Sequence, residues 1–206
     1  MTIVTRSGKG SELTHNELDG NFTDLDTRTK SGWRDNIVSI YSDPSDVSSP
    51  TLEYFNGGIK KYMFSSGEIT QAYADWHIDH DYKLNTKLYL HVHWSTLSTD
   101  IGTVRWGFEY SVAKGHQQAV FPNPTTVYVE QTTTGQSKMH YVAEVSEANA
   151  IPGTGIEPDT LITVRLFRDG SHPNDTLNAN VFGLCLDLHY ECDRYATPNK
   201  VPNFYA

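Results

Sequence analysis

Residues 87–112 read KLYLHVHWSTLSTDIGTVRWGFEYSV, and this stretch decides the fold. Two alternating runs flank a polar loop. In the first, Leu88, Leu90, Val92 and Trp94 share one face, and Tyr89, His91, His93 and Ser95 share the other. In the second, Val104, Trp106, Phe108 and Tyr110 share a face, with Arg105, Gly107 and Glu109 opposite. Period-two alternation of β-branched and aromatic residues marks half-buried antiparallel strands. Closing the pair over Ser95 to Thr103 predicts a hairpin, with Trp94 near Val104, Val92 near Trp106 and Leu90 near Phe108. Aromatic and aliphatic cross-strand pairs of that kind fix a register and seed a sheet.

The same reading extends in both directions. Thr51–Phe55 and Ile59–Phe64 flank Asn56-Gly57-Gly58 and predict a hairpin with Gly at its turn. Tyr73–Ile78 is a short strand. Thr125–Gln131 and Lys138–Val145 flank TTTGQS and predict a further hairpin. Residues 147–159 hold Pro152, Gly153, Gly155 and Pro158 and form a long loop. Thr160–Arg168 is a strand, and so is Asn180–Glu191, with Phe182, Leu184, Leu186, Leu188 and Tyr190 on one face. The pattern predicts an all-β chain, an antiparallel β-sandwich of jelly-roll type with an N-terminal arm and one short helix. Residues 1–50 read as arm, helix and linker, with one edge strand near Ile37–Tyr41. Residues 51–206 read as the sandwich and an extended, Pro-broken tail ending in Phe204 and Tyr205.

The one clear helix signal lies near the start. Thr14 and Glu17 have the spacing of a capping box, and Leu13 and Leu18 stand at the flanking staple positions. Leu18, Phe22 and Leu25 follow as a narrow apolar stripe on a helix of about three turns. Such a stripe either docks on its own core or is offered to a partner.

This segment, SELTHNELDGNFTDL, resembles one found near the N-terminus of tailed-bacteriophage fibre and other virion proteins. The matching residues are Leu13, Thr14, Glu17, Leu18, Asp19, Asn21, Phe22 and Leu25, with Gly20 where the pattern has Ala. The stretch from about Trp76 to Ala206 is similar in style to jelly-roll surface domains of phage heads and tails. The resemblance implies a structural protein of a phage particle, a trimeric capsid decoration (cement) protein or head fibre that catalyses nothing. The alternative it carries is a tail fibre or receptor-binding protein whose loops contact host glycans. The implied partners are its own copies in a homotrimer and other virion proteins, such as the major capsid protein or a tail adaptor. The implied place is the particle surface, after assembly in the host cytoplasm. Leu13, Leu18, Phe22 and Leu25 are the attachment residues on this reading.

Composition limits the other classes. A net charge of -9, with 16 Lys+Arg, lacks the electrostatic footprint of a nucleic-acid binder. No apolar run approaches the ~18 residues of a membrane span, and the first ten residues have no apolar segment of a signal peptide. Cys185 and Cys192 sit seven residues apart on one strand, roughly 23 Å at about 3.3 Å per residue, which predicts free thiols.

Candidate chemistry is thin. His91 and His93 share a face and could chelate a metal, and a jelly roll with that pair is similar to the cupins. The cupin pattern then wants a Glu where Leu97 and Ser98 stand, and nothing in the sequence shows that His140 or His189 face the pair. His77, Asp79, His80 and Asp81 make a second cluster, read as a strand end with a polar turn. Glu109 and Glu144 could pose as a glycosidase carboxylate pair, but nothing sets their separation. The expectation is no catalytic residue, no metal and no cofactor. Tyr89, His91, His93, Arg105 and Glu109 form a polar face suited to subunit contacts, together with Phe204 and Tyr205.

Overall fold

The structure, a computed structural model, describes residues 3–206, and of residues 27–30 the backbone alone. Two helices, α1 (Arg6–Lys9) and α2 (His15–Lys30), precede the strands. The strands are β1 (Gly32–Val38), β2 (Thr51–Asn56), β3 (Ile59–Phe64), β4 (Ile69–His77) and β5 (Leu88–Thr96). Then follow β6 (Thr103–Lys114), β7 (Thr125–Thr132), β8 (Tyr141–Glu144), β9 (Thr160–Asp169) and β10 (Val181–Cys192). They form an antiparallel β-sandwich. One sheet has six strands in the order β2-β3-β10-β5-β8, with β1 also on β10; the other has four in the order β4-β9-β6-β7. The nested antiparallel pairs β3–β10, β4–β9, β5–β8 and β6–β7 are the winding of a jelly roll.

The central pair is not a hairpin. β5 pairs with β10 and β8 in one sheet, and β6 pairs with β9 and β7 in the other. The loop between them crosses the sandwich. The apolar faces still meet, but through the core: Trp94 and Trp106 approach edge-on at 6.2 Å between ring centroids. The expected hairpin of Thr125–Gln131 with Lys138–Val145 fails in the same way, because β7 and β8 lie in opposite sheets. The reason is common to both. Two strands with apolar faces satisfy the alternation equally well side by side or facing each other across about 10 Å of core. The Thr51–Phe64 hairpin forms as expected, with Gly57 at φ 57° in its turn.

An aromatic stack holds the sheets together. Tyr141 stacks on Trp94 at 4.5 Å, and Phe64 meets Trp106 edge-on at 5.1 Å. Trp94 Nε1 donates to Gln131 Oε1 at 2.7 Å, so its polar atom is satisfied within the core. Arg168 is fully buried and faces Asp175 through two hydrogen bonds of 3.0 and 2.7 Å. It also donates to the carbonyls of Ala179 and Leu177, each at 2.7 Å. A buried cation is tolerated only when it is paired and hydrogen-bonded in this way.

Three local findings revise the expected layout. First, residues 32–41 are not linker: β1 pairs with β10 along its whole length, Ile40 is buried in the core, and Trp76 Nε1 donates to Asn36 O at 2.7 Å. The sandwich thus begins near Gly32 rather than at residue 51. Second, β10 carries a bulge between Gly183 and Cys185. The bulge shifts the alternation, so Val181, Leu186, Leu188 and Tyr190 face the core while Phe182 packs outside against Phe55 at 5.3 Å. Third, α2 runs for 16 residues, longer than three turns, and Gly20 does not break it. Both cysteines are free, and among the described residues no helix is long and apolar enough to cross a membrane.

Candidate functional site

The N-terminal segment is built by local contacts. Thr14 Oγ1 accepts from the Glu17 amide at 3.3 Å, and the Glu17 carboxylate accepts from the Thr14 amide at 2.8 Å. This is the capping box read from the sequence. Lys9 Nζ reaches the same carboxylate at 2.5 Å. That hydrogen bond first, then the one from the Thr14 backbone, lowers the Glu17 pKa to about 2. Asn21, one of the motif positions, clips the arm onto the helix. Its Oδ1 accepts from Val4 N–H and its Nδ2 donates to Val4 O, both at 2.7 Å. Leu13 is half-buried, whereas Leu18, Phe22 and Leu25 are 42%, 63% and 46% exposed.

A second cluster lies on the outer face of the six-stranded sheet. The register sets Asp187 of β10, His91 of β5 and Glu144 of β8 in one row, with Asp35 of β1 opposite His189 of β10 in the next. His91 and Asp187 point away from the core yet are only 1% and 2% exposed, because neighbouring side chains cover them. The His189 ring lies against His91 at 4.2 Å between centroids. His91 Nε2 is 3.2 Å from His93 Nε2 and 3.4 Å from Asp187 Oδ2, and His93 Nε2 is 3.7 Å from the same oxygen. On their far sides, His93 Nδ1 meets His140 Nε2 at 2.8 Å, and His91 Nδ1 stands 3.5 Å from Glu144 Oε2. That His91 nitrogen is buried without a hydrogen-bond partner. His189 is held by Asp35 on one side and Glu144 on the other. Burial first, then His189 and His93, lowers the His91 pKa to about 4. Burial first, then His140, lowers that of His93, and burial raises that of Asp187.

The structure thus brings His140, His189 and Glu144 to the His91–His93 pair, which the sequence alone left open. It adds Asp187 and Asp35, which sequence reasoning missed. The signal was present: Asp187 and His189 occupy the polar face of a strand whose other face is Leu186, Leu188 and Tyr190.

The proposed polar contact face is divided. Tyr89, His91 and His93 stand on β5, whereas Arg105 and Glu109 stand on β6, in the other sheet. There Glu109 pairs with Arg165 at 2.6 Å, and Arg105 pairs with Glu130 at 2.5 Å and Asp169 at 3.3 Å. Glu109 and Glu144 therefore lie in opposite sheets and form no carboxylate pair. The tail packs on its own chain. Phe204 is buried and packs edge-on against His80 and His116 at 5.4 and 5.7 Å. Tyr205 O–H donates to Tyr82 O at 2.9 Å. In the second acidic cluster, Asp81 takes Arg34 at 2.6 Å and the Tyr190 hydroxyl at 2.8 Å, while His77 pairs with Asp159 at 2.9 Å. These groups are committed to holding a strand end.

No protein-family model matches the chain, and no curated protein sequence matches it. Among solved structures, the chain is similar to the CBM22-1-GH10 modules of the Clostridium thermocellum xylanase 10B complexed with xylohexaose. Identity is 12% and the TM-score 0.36, over 82% of this chain and 28% of that one. It is similar to TmCBM61 in complex with β-1,4-galactotriose at 14% identity and TM-score 0.28, over 82% and 94% of the two chains. It is similar to the family 11 carbohydrate-binding module of Clostridium thermocellum in complex with a β-1,3-1,4-mixed-linked tetrasaccharide at 9% identity and TM-score 0.31, over 80% and 84%. Likeness of this degree says nothing about ligands.

Proposed function

We propose that this chain is a structural protein of a tailed-bacteriophage particle, a jelly-roll knob held on the particle surface by its N-terminal segment. The observation that carries the reading is the exposure of Leu18 and Phe22 on a helix that is already capped and clipped to its own arm. The sandwich core closes on residues 40–190 without them. A helix of this kind is marginal unless a surface receives its apolar side chains, which contribute about 1.5–3 kcal/mol each when fully buried. The resemblance of Leu13 to Leu25 to phage virion segments supplies the kind of partner. The role is that of a decoration protein or head fibre, and the chain acts as a homotrimer. One such helix binds weakly, and three linked copies raise avidity by roughly 10²–10⁴ without any new contact. Mass spectrometry and immunogold imaging of purified particles test this. The expected result is the chain at a fixed ratio to the major capsid protein and at the particle surface. Particles that never contain it would contradict the proposal.

A second reading rests on a groove on the outer face, lined by Trp33, Tyr89, Glu144 and His189, with a volume of about 310 Å³. Trp33 is 62% exposed and meets Tyr89 edge-on at 5.7 Å. Aromatic walls with a few convergent polar groups suit a small ligand. This favours a receptor-binding role toward host glycans. Binding of host surface polysaccharide that Trp33→Ala abolishes would support it, and absence of any binding would remove it.

A further inference from the structure

We propose that His91, His93 and Asp187 bind one divalent transition-metal ion on the outer face of the six-stranded sheet. The sequence by itself predicts no metal, since Leu97 and Ser98 stand where the cupin pattern has Glu and nothing in it places His140 or His189 beside the His91–His93 pair. The register supplies these surroundings.

The first argument is distance. His91 Nε2, His93 Nε2 and Asp187 Oδ2 form a triangle with sides of 3.2, 3.4 and 3.7 Å. An ion with bonds of about 2.0–2.1 Å in tetrahedral geometry holds its ligand atoms about 3.3 Å apart. The three atoms therefore stand where one ion can touch all of them, with no large movement of backbone. They lie on adjacent strands paired through His91↔Asp187 and His93↔Cys185, and β1 and β8 flank them. Sites on such rigid elements hold their geometry better than sites on loops.

The second argument is the far side of each imidazole. A metal on Nε2 leaves the proton of a neutral imidazole on Nδ1, which then needs an acceptor. His91 Nδ1 is buried and has no hydrogen bond, yet Glu144 Oε2 waits 3.5 Å away. His93 Nδ1 has His140 Nε2 at 2.8 Å. Glu144 is itself fixed by His189, which Asp35 holds from its other nitrogen. Metal-binding histidines ordinarily have such outer partners.

The third argument is donor chemistry. Two imidazoles and one carboxylate suit zinc or ferrous iron and do not suit calcium or magnesium, which take oxygen ligands. Another group, His91, Glu144 and His189, shares His91. There Glu144 and His189 hydrogen-bond each other directly, so that group serves as the orienting partner. The site stands independently of any role in a virion.

The test uses the full-length chain without a histidine tag, stripped with a chelator and titrated with zinc by calorimetry. The expected result is one ion per chain. Asp187→Asn and His93→Gln should each abolish stoichiometric binding, and Glu144→Gln should weaken it by about 10–100-fold. Cobalt(II) should give the intense visible absorption of a tetrahedral site in the parent chain and lose it in His93→Gln. The His93 side chain is 20% exposed, so this variant decides the matter even if the buried His91→Ala does not fold. No saturable binding by the parent chain would overturn the proposal. So would binding that survives both Asp187→Asn and His93→Gln.

Discussion

The helix α2 and the sandwich treat their apolar side chains in opposite ways. In the sandwich, Trp94, Trp106 and Phe64 are fully buried against one another across two sheets. In α2, Leu18 and Phe22 face solvent, and order comes from a capping box and from Asn21 bonded to Val4. One region is stabilised by contacts far apart in sequence, whereas the capping box and the Asn21–Val4 clip of the other span at most seventeen residues. The two should therefore respond separately to damage.

The largest effect is expected in the sandwich. Asp175→Ala leaves the Arg168 guanidinium buried without its carboxylate and should cost about 3–5 kcal/mol in denaturant unfolding. A loss under about 1 kcal/mol would mean that water reaches Arg168. A smaller effect is expected in the helix. Thr14→Ala removes the side chain that accepts from Glu17 N–H and should cost about 1 kcal/mol of helix stability. It should appear as faster amide exchange in α2, with the unfolding midpoint of the sandwich unmoved. A shared loss would show that α2 belongs to the core.

The smallest effect concerns acid. The Glu17 pKa in the folded chain lies at about 2, below its ordinary 4.5. Its contribution is therefore complete above about pH 4.5 and is lost as pH falls through about 2. A carboxylate titration by NMR should place the Glu17 midpoint near the lower value, and a midpoint at 4.5 would show an open cap.

The sequence made some of this legible and not the rest, for identifiable reasons. Capping residues act over three positions, so Thr14 and Glu17 could be read directly. Strand faces could be read too, since alternation reports which side is apolar. Partners could not, because Trp94 and Trp106 satisfy the same pattern in one sheet or in two. The bulge at Gly183–Cys185 moved Phe182 to the outer face, which no alternation foretells. The histidine cluster was half visible. His91 and His93 share a face by spacing, but Asp187 joins them only through the pairing of β5 with β10. Arg105 and Glu109 left that face for the same reason. On β6 every charge has a close partner, as in Arg165–Glu109 at 2.6 Å, whereas the outer face of β5 keeps a buried nitrogen unbonded.

The most direct test of attachment through the N-terminal segment is incorporation of a chain lacking residues 1–30 into particles, with its unfolding midpoint measured alongside. β1 starts at Gly32, so the sandwich remains whole in that chain. The expected result is a folded protein with the full-length midpoint that is absent from purified particles. Truncated protein found on particles at full-length occupancy would contradict attachment through this segment.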